Sequence, residues 1–193
     1  MLEKTISAVL APRTDRTAYV VWMAVIWAAM LGGFGLDFRR YIGETPPPPG
    51  ILHIHAAVYV IWLVLVSVQI FLVQTGDIRL HMRLGWATAI VSAAMVPLGL
   101  VAALVDQARQ ASHPDYAPQF LALEFEEMFA FSTLIVAGLL TRRNLAEHKR
   151  WMILSAVAIS DAGFARIWTI GIDRTFPGPF GWWLEYFGAL PCC

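Results

Sequence analysis

Residues 51–74 read ILHIHAAVYVIWLVLVSVQIFLVQ. The run is uncharged apart from its histidines and is long enough to cross a bilayer, for which about 20 apolar residues suffice. A core helix of a soluble protein rarely stays uncharged for so long, and a lipid-facing anchor has no need of His53, His55, Ser67 or Gln69. In a helix, His55, Tyr59, Trp62, Val66 and Gln69 fall at i, i+4, i+7, i+11 and i+14, along one face. That stripe carries imidazole, phenol, indole and amide, and is predicted to face neighbouring helices. Unsatisfied polar groups in hydrocarbon cost several kcal/mol. His53 lies about 200° round from His55 if both are helical. A helix that begins only at His55 lets both rings turn the same way.

The rest of the chain fits a membrane setting. It has 193 residues, of which 58% are hydrophobic and 15% charged, with a mean hydropathy of +0.61. Soluble domains usually hold about 25% charged residues. The expected fold is all-α, an integral membrane helix bundle forming one domain, with the lipid bilayer as its main partner. The net charge of zero points away from nucleic acid. Cys192 and Cys193 are adjacent and make no disulfide framework. They look like a prenylation ending, but the outer location predicted for them argues against a cytosolic modification.

Five spans are predicted, at about 17–36, 51–74, 84–105, 119–140 and 151–171, followed by an aromatic tail at 172–193 suited to the outer interface. The first is too long for a signal-peptide core and is read as a retained helix. Pro46 to Pro49 form an extended strut into the second span, and Pro97 marks a kink in the third. The fourth contains Glu124, Glu126 and Glu127. Its uncharged remainder is too short to cross alone, so the glutamates are expected to enter the membrane's outer part. The fifth holds Asp161 near its middle, then Arg166. Placing the N-terminus in the cytoplasm puts nine Lys/Arg residues inside and four outside, as the positive-inside bias requires. The third and fifth spans are each preceded by His-x-Arg, in LHMRLGW and EHKRWMI, a weak internal echo.

Three groups of residues carry candidate chemistry. His53, His55, Glu124 and Glu127 all fall in the predicted outer half, and imidazoles with carboxylates suit iron, zinc or copper. The structural alternative pairs a glutamate with Arg166 and leaves the histidines as interfacial anchors. His81 and His148 each open a span beside arginines. They are a candidate axial pair for haem, or ordinary anchors at an anionic surface. Asp161 is an intramembrane charge, and such charges are costly enough to need a partner or a function. It is a candidate proton carrier or cation site, or a neutral acid that fastens helices.

His53, His55, Trp62 and Gln69, then Gly76, Leu80, His81, Arg83, Leu84, Gly85 and Trp86, then His148, Lys149, Arg150 and Met152 make a longer pattern. H-x-H…Q…L-H-x-R-L-G-W…H-K-R-x-M resembles a family of bacterial multi-pass membrane proteins that has no settled function. The H-K-R-x-M element looks, more distantly, like four-histidine membrane proteins of cytochrome oxidase maturation. The first resemblance implies a bacterial inner membrane, further spans beyond these five, and a shortened member here. The histidines make a redox, metal- or haem-handling protein the first expectation, with a second copy of the chain or a respiratory complex as partner. A small proton-coupled transporter using Asp161, Glu124, Glu127 and Arg166, or a non-catalytic scaffold, is the alternative. No Ser-His-Asp order, phosphate loop or dinucleotide motif is present.

Overall fold

The computed structural model describes residues 13–111 and 120–172. Between short connections these residues are helical, and no β-strand occurs among them. Helix α1 runs Arg13–Ile42, α2 Gly50–Thr75, α3 Ile78–Gln110, α4 Phe120–Leu140, α5 Leu145–Ala158 and α6 Asp161–Arg166, and a π-helical segment follows at Ile167–Ile172. The chain is thus an all-α bundle. Three of its helical stretches, Thr17–Ile42, Gly50–Thr75 and Ile78–Gln110, are long and apolar enough to cross a membrane. The exterior agrees with that. Phe129, Ile90 and Leu31 are 74%, 69% and 67% exposed, apolar surface that lipid would cover.

Neighbouring helices pack in chain order, α2 on α3, α3 on α4 and α4 on α5, while α1 lies against α6. The core sits where these pairs meet. Trp62, Phe131, Ile26 and Met95 are completely enclosed, and the Trp62 and Phe131 rings meet edge to face at 5.2 Å. Such aromatic pairs prefer this geometry because the positive ring edge meets the negative face.

Local sequence explains the ends of the helices. Pro49 holds a polyproline conformation, φ −57° and ψ 147°, as the proline run predicts. Gly76 closes α2 with a left-handed φ of 83°, which only glycine adopts freely. Asp77 then caps α3 by accepting from the Leu80 N–H at 3.0 Å. Asn144 caps α5 through the Glu147 N–H, and its own amide donates to the Glu147 carboxylate at 2.8 Å. The α3 helix runs unbroken through Pro97.

Two expectations need correction. The first span does not end at residue 36. It continues to Ile42, so Asp37, Arg39 and Arg40 are helical. The fifth span is not one helix. It breaks at Ile159 and Ser160 between α5 and α6. Before the break, the Ser155 hydroxyl donates to the Met152 carbonyl at 2.7 Å and Ser160 to Val157 at 2.6 Å. The Ser160 N–H also bonds Val157, one residue short of the α-helical register. Hydroxyl back-bonding of this kind competes with the helical ladder. His113, the tail from Asp173 onward, and Cys192 and Cys193 lie outside the described residues.

Candidate functional site

The predicted stripe of α2 does face inward. Trp62, Val66 and Gln69 are buried, and each polar group on the stripe below His55 has a neighbour from another helix. The Tyr59 hydroxyl lies 3.1 Å from the Met128 sulfur and 3.4 Å from the Met95 carbonyl. The Trp62 indole donates to the Ser92 hydroxyl at 2.6 Å, and the Gln69 amide donates to the Thr88 hydroxyl at 3.3 Å. Ser92 and Thr88 pass their own protons to α3 carbonyls. Alongside, the Trp27 indole ties α1 to Ser67 at 2.9 Å. A seam of polar groups therefore follows the α2–α3 interface, from Tyr59 at one end to Gln69 near the other.

The predicted four-ligand metal set does not assemble. Because α2 begins at Gly50, His53 and His55 are both helical and point apart. His53 is exposed, edge-on to Tyr41 at 5.6 Å, with Nδ1 3.4 Å from the Pro49 carbonyl. His55 turns inward and lies against the Tyr59 ring at 4.1 Å. Among the described residues, no three His, Cys, Asp or Glu side chains are grouped to hold a metal ion.

What does gather at that end is a cluster of charges. Arg166 reaches the carboxylate of Asp37 at 3.4 Å, donates to the Ala162 carbonyl at 2.7 Å and lies 4.1 Å over the Phe34 ring. Asp37 also accepts two bonds from Arg40, at 2.6 and 2.8 Å. Asp37 is thus one partner of Arg166, where the structural alternative expected a glutamate. Arg166 still acts through space on His55 and Glu124. Glu124 and Asp161 lie within electrostatic reach of Glu127, and both glutamates reach Tyr59. Asp106 joins from α3, where it pairs with Arg109 at 2.8 Å. Arg109 in turn holds Glu44 of the α1–α2 connection. Asp161 opens α6 directly after the break.

A backbone contact brings these groups together. The α1 and α6 helices cross at Gly33 and Gly163, so closely that a Cβ on Gly33 would overlap the Gly163 carbonyl. A Cβ on Gly163 would sit 2.8 Å from the Ala29 carbonyl oxygen. Asp37 is one turn beyond Gly33, and Arg166 is three residues beyond Gly163, so the crossing sets their distance. Small residues that let membrane helices approach closely are the usual device for this.

His81 and His148 do meet. Their ring centres are 6.3 Å apart and the planes are nearly perpendicular. They lie at the end of the bundle opposite the charge cluster, where the α2–α3 and α4–α5 turns both fall. The His-x-Arg echo has a structural counterpart. Each histidine lies four residues after a capping side chain, Asp77 or Asn144, and its N–H bonds that residue's carbonyl, at 3.0 and 2.9 Å. The full pattern is Asp/Asn-x-x-x-His-x-Arg, and the polar cap residue is the part of the signal that the shorter motif omits.

No protein family, curated protein or solved structure matches this chain.

Proposed function

We propose that the chain is a small proton-coupled carrier of the bacterial inner membrane, spanning it five times with the N-terminus in the cytoplasm. The observation that carries this reading is the charge cluster beside an interrupted helix. Glu124, Glu127, Asp161, His55 and Arg166 come from three elements to one place, and Asp161 follows the α5–α6 break directly. Ionisable groups inside a membrane bundle are expensive and mark proton or ion paths. Interrupted helices are the usual place for such sites in carriers, because freed backbone groups and acidic side chains share the ion. The seam from Tyr59 to Gln69 extends polar groups toward the opposite face. The basic-residue bias and the resemblance to bacterial multi-pass proteins support the orientation and the membrane.

In this reading Asp161 and Glu127 exchange the proton, and they pass it down a membrane potential even with no cargo bound. Arg166, fastened by Asp37, keeps the neighbouring carboxylates from all becoming neutral together. The test is proton uptake into liposomes that hold the purified protein and a trapped pH indicator, driven by an imposed membrane potential. The parent protein and Glu126→Gln are expected to acidify the lumen, and Asp161→Asn to lose at least tenfold of that rate. A parent rate equal to that of protein-free liposomes, or an undiminished rate in Asp161→Asn, overturns the reading.

A further inference from the structure

We propose that His81 and His148 bind one transition-metal ion of the class imidazole prefers, zinc or copper(II). The site lies at the end of the bundle away from the charge cluster and is independent of any proton carriage there.

The hydrogen bonds around the rings set out the lone pairs. Nδ1 of His148 lies 2.7 Å from the Gly138 carbonyl of α4. A carbonyl only accepts, so Nδ1 carries the proton and Nε2 is left with a free lone pair. Imidazoles that bind metals are generally held in this way, with the second nitrogen donating to a backbone carbonyl or carboxylate. On the facing helix, Nδ1 of His81 is buried and makes no hydrogen bond among the described residues. The Gln69 main-chain carbonyl lies within hydrogen-bonding reach of that ring, which leaves the other ring nitrogen for a metal.

A third polar atom is unspent further along the same face of α3. Gln69 is 9% exposed, and its amide nitrogen is committed to Thr88. Its Oε1 is buried without a partner among the described residues. His81, Gly85 and Thr88 share one face of α3 at i, i+4 and i+7. The Gln69 amide nitrogen lies 3.7 Å from where a Cβ on Gly85 would be, one turn along α3 from His81. Buried polar atoms without partners are rare in folded proteins and point to a missing ion or water.

The spacing fits an ion. Two imidazoles each coordinating at about 2.0–2.1 Å have ring centres roughly 5–6 Å apart, so the observed 6.3 Å needs a closure of about an ångström or less. Rotation of the two rings supplies that, because both helices are anchored by caps just four residues earlier. Zinc and copper(II) accept two imidazoles, with water or an amide oxygen such as that of Gln69 completing the shell.

The test is titration of zinc, and separately of copper(II), into chelator-treated protein without a histidine tag, in mild detergent. The parent protein and His53→Ala are expected to bind one equivalent, and His81→Ala and His148→Ala to bind at least tenfold more weakly. The copper(II) adduct of the parent protein is expected to show hyperfine coupling to two imidazole nitrogens in electron paramagnetic resonance, a readout that needs no variant to fold. Binding that survives His148→Ala, a copper signal without nitrogen coupling, or no binding at all overturns the proposal. So does protein that arrives carrying a porphyrin removed by His81→Ala, since the histidines would then be axial haem ligands.

Discussion

Replacing Gly163 with alanine tests the glycine crossing that positions Arg166. The added Cβ would meet the Ala29 carbonyl oxygen at 2.8 Å, its carbon at 2.9 Å and the Met30 Cα at 3.0 Å. All three are backbone atoms, so no side chain can turn aside and α6 must move off α1. Ordinary contact is nearer 3.5–4.0 Å, which asks for a displacement of about 0.5–1 Å. Overpacking of this sort costs about 1–3 kcal/mol. For a chain of this size each kcal/mol shifts the melting temperature by about 2–4 °C, so a loss of roughly 2–12 °C is expected. The control is Gly35→Ala two residues along α1, where a new Cβ meets nothing within 4 Å. There alanine is expected to be neutral or to add up to about 1 kcal/mol of helix propensity. The assay is heat-induced loss of the monodisperse peak in detergent gel filtration. Equal melting temperatures for Gly163→Ala and Gly35→Ala would refute the close crossing of α1 and α6.

Other substitutions separate further parts of the structure. Asp37→Ala removes the carboxylate that accepts from both Arg40 and Arg166 and is expected to cost about 1.5–3 kcal/mol, the scale of hydrogen bonds to charged groups. Arg40→Ala removes a side chain that is 67% exposed and is expected to cost under about 1 kcal/mol. The same melting assay ranks the two. Ser92→Ala strips the enclosed Trp62 indole of its acceptor and should cost about 0.6–1.7 kcal/mol, the scale of interhelical hydrogen bonds in membranes, with a shift in tryptophan emission as a second readout. Asp77→Ala and Asn144→Ala remove the caps below the two histidines, at about 0.5–2 kcal/mol each. Both should weaken the metal binding proposed for His81 and His148, while His53→Ala leaves it unchanged.

Much of the architecture was legible because helical periodicity and hydropathy are local properties. The inward stripe Tyr59–Trp62–Val66–Gln69 follows from residue spacing alone, and the His-x-Arg echo marks two similar hairpins. What spacing does not carry is the contact between distant helices. Nothing local says that Gly33 and Gly163 touch, so the partnership of Asp37 with Arg166 was not visible. The first span was expected to end before Asp37, because a charged turn looks like the end of a span when its partner is unknown. The break at Ile159 and Ser160 was missed for a related reason. Serine hydroxyls are tolerated in helices, and their spacing alone does not say where back-bonding at Ser155 and Ser160 interrupts the ladder. The metal set of His53, His55, Glu124 and Glu127 failed because helix α2 starts early enough to turn the two rings apart.

The shortness of α5 bears on how the protein is made. At 14 residues it falls below the roughly 20 that a translocating segment needs to partition into lipid by itself. Its predecessor α4 carries three glutamates, Glu124, Glu126 and Glu127, in its second turn. On the five-span reading neither would leave the translocon alone, and the two would enter together as a hairpin, against α2 and α3 already in place. The close turn through Thr141 to Asn144 and the bond from His148 to Gly138 would form at that step. The first half of the chain would then be the template on which the second half is inserted. A fragment ending after α3 should reach the membrane by itself, and a fragment of α4 and α5 alone should remain with the ribosome or be degraded.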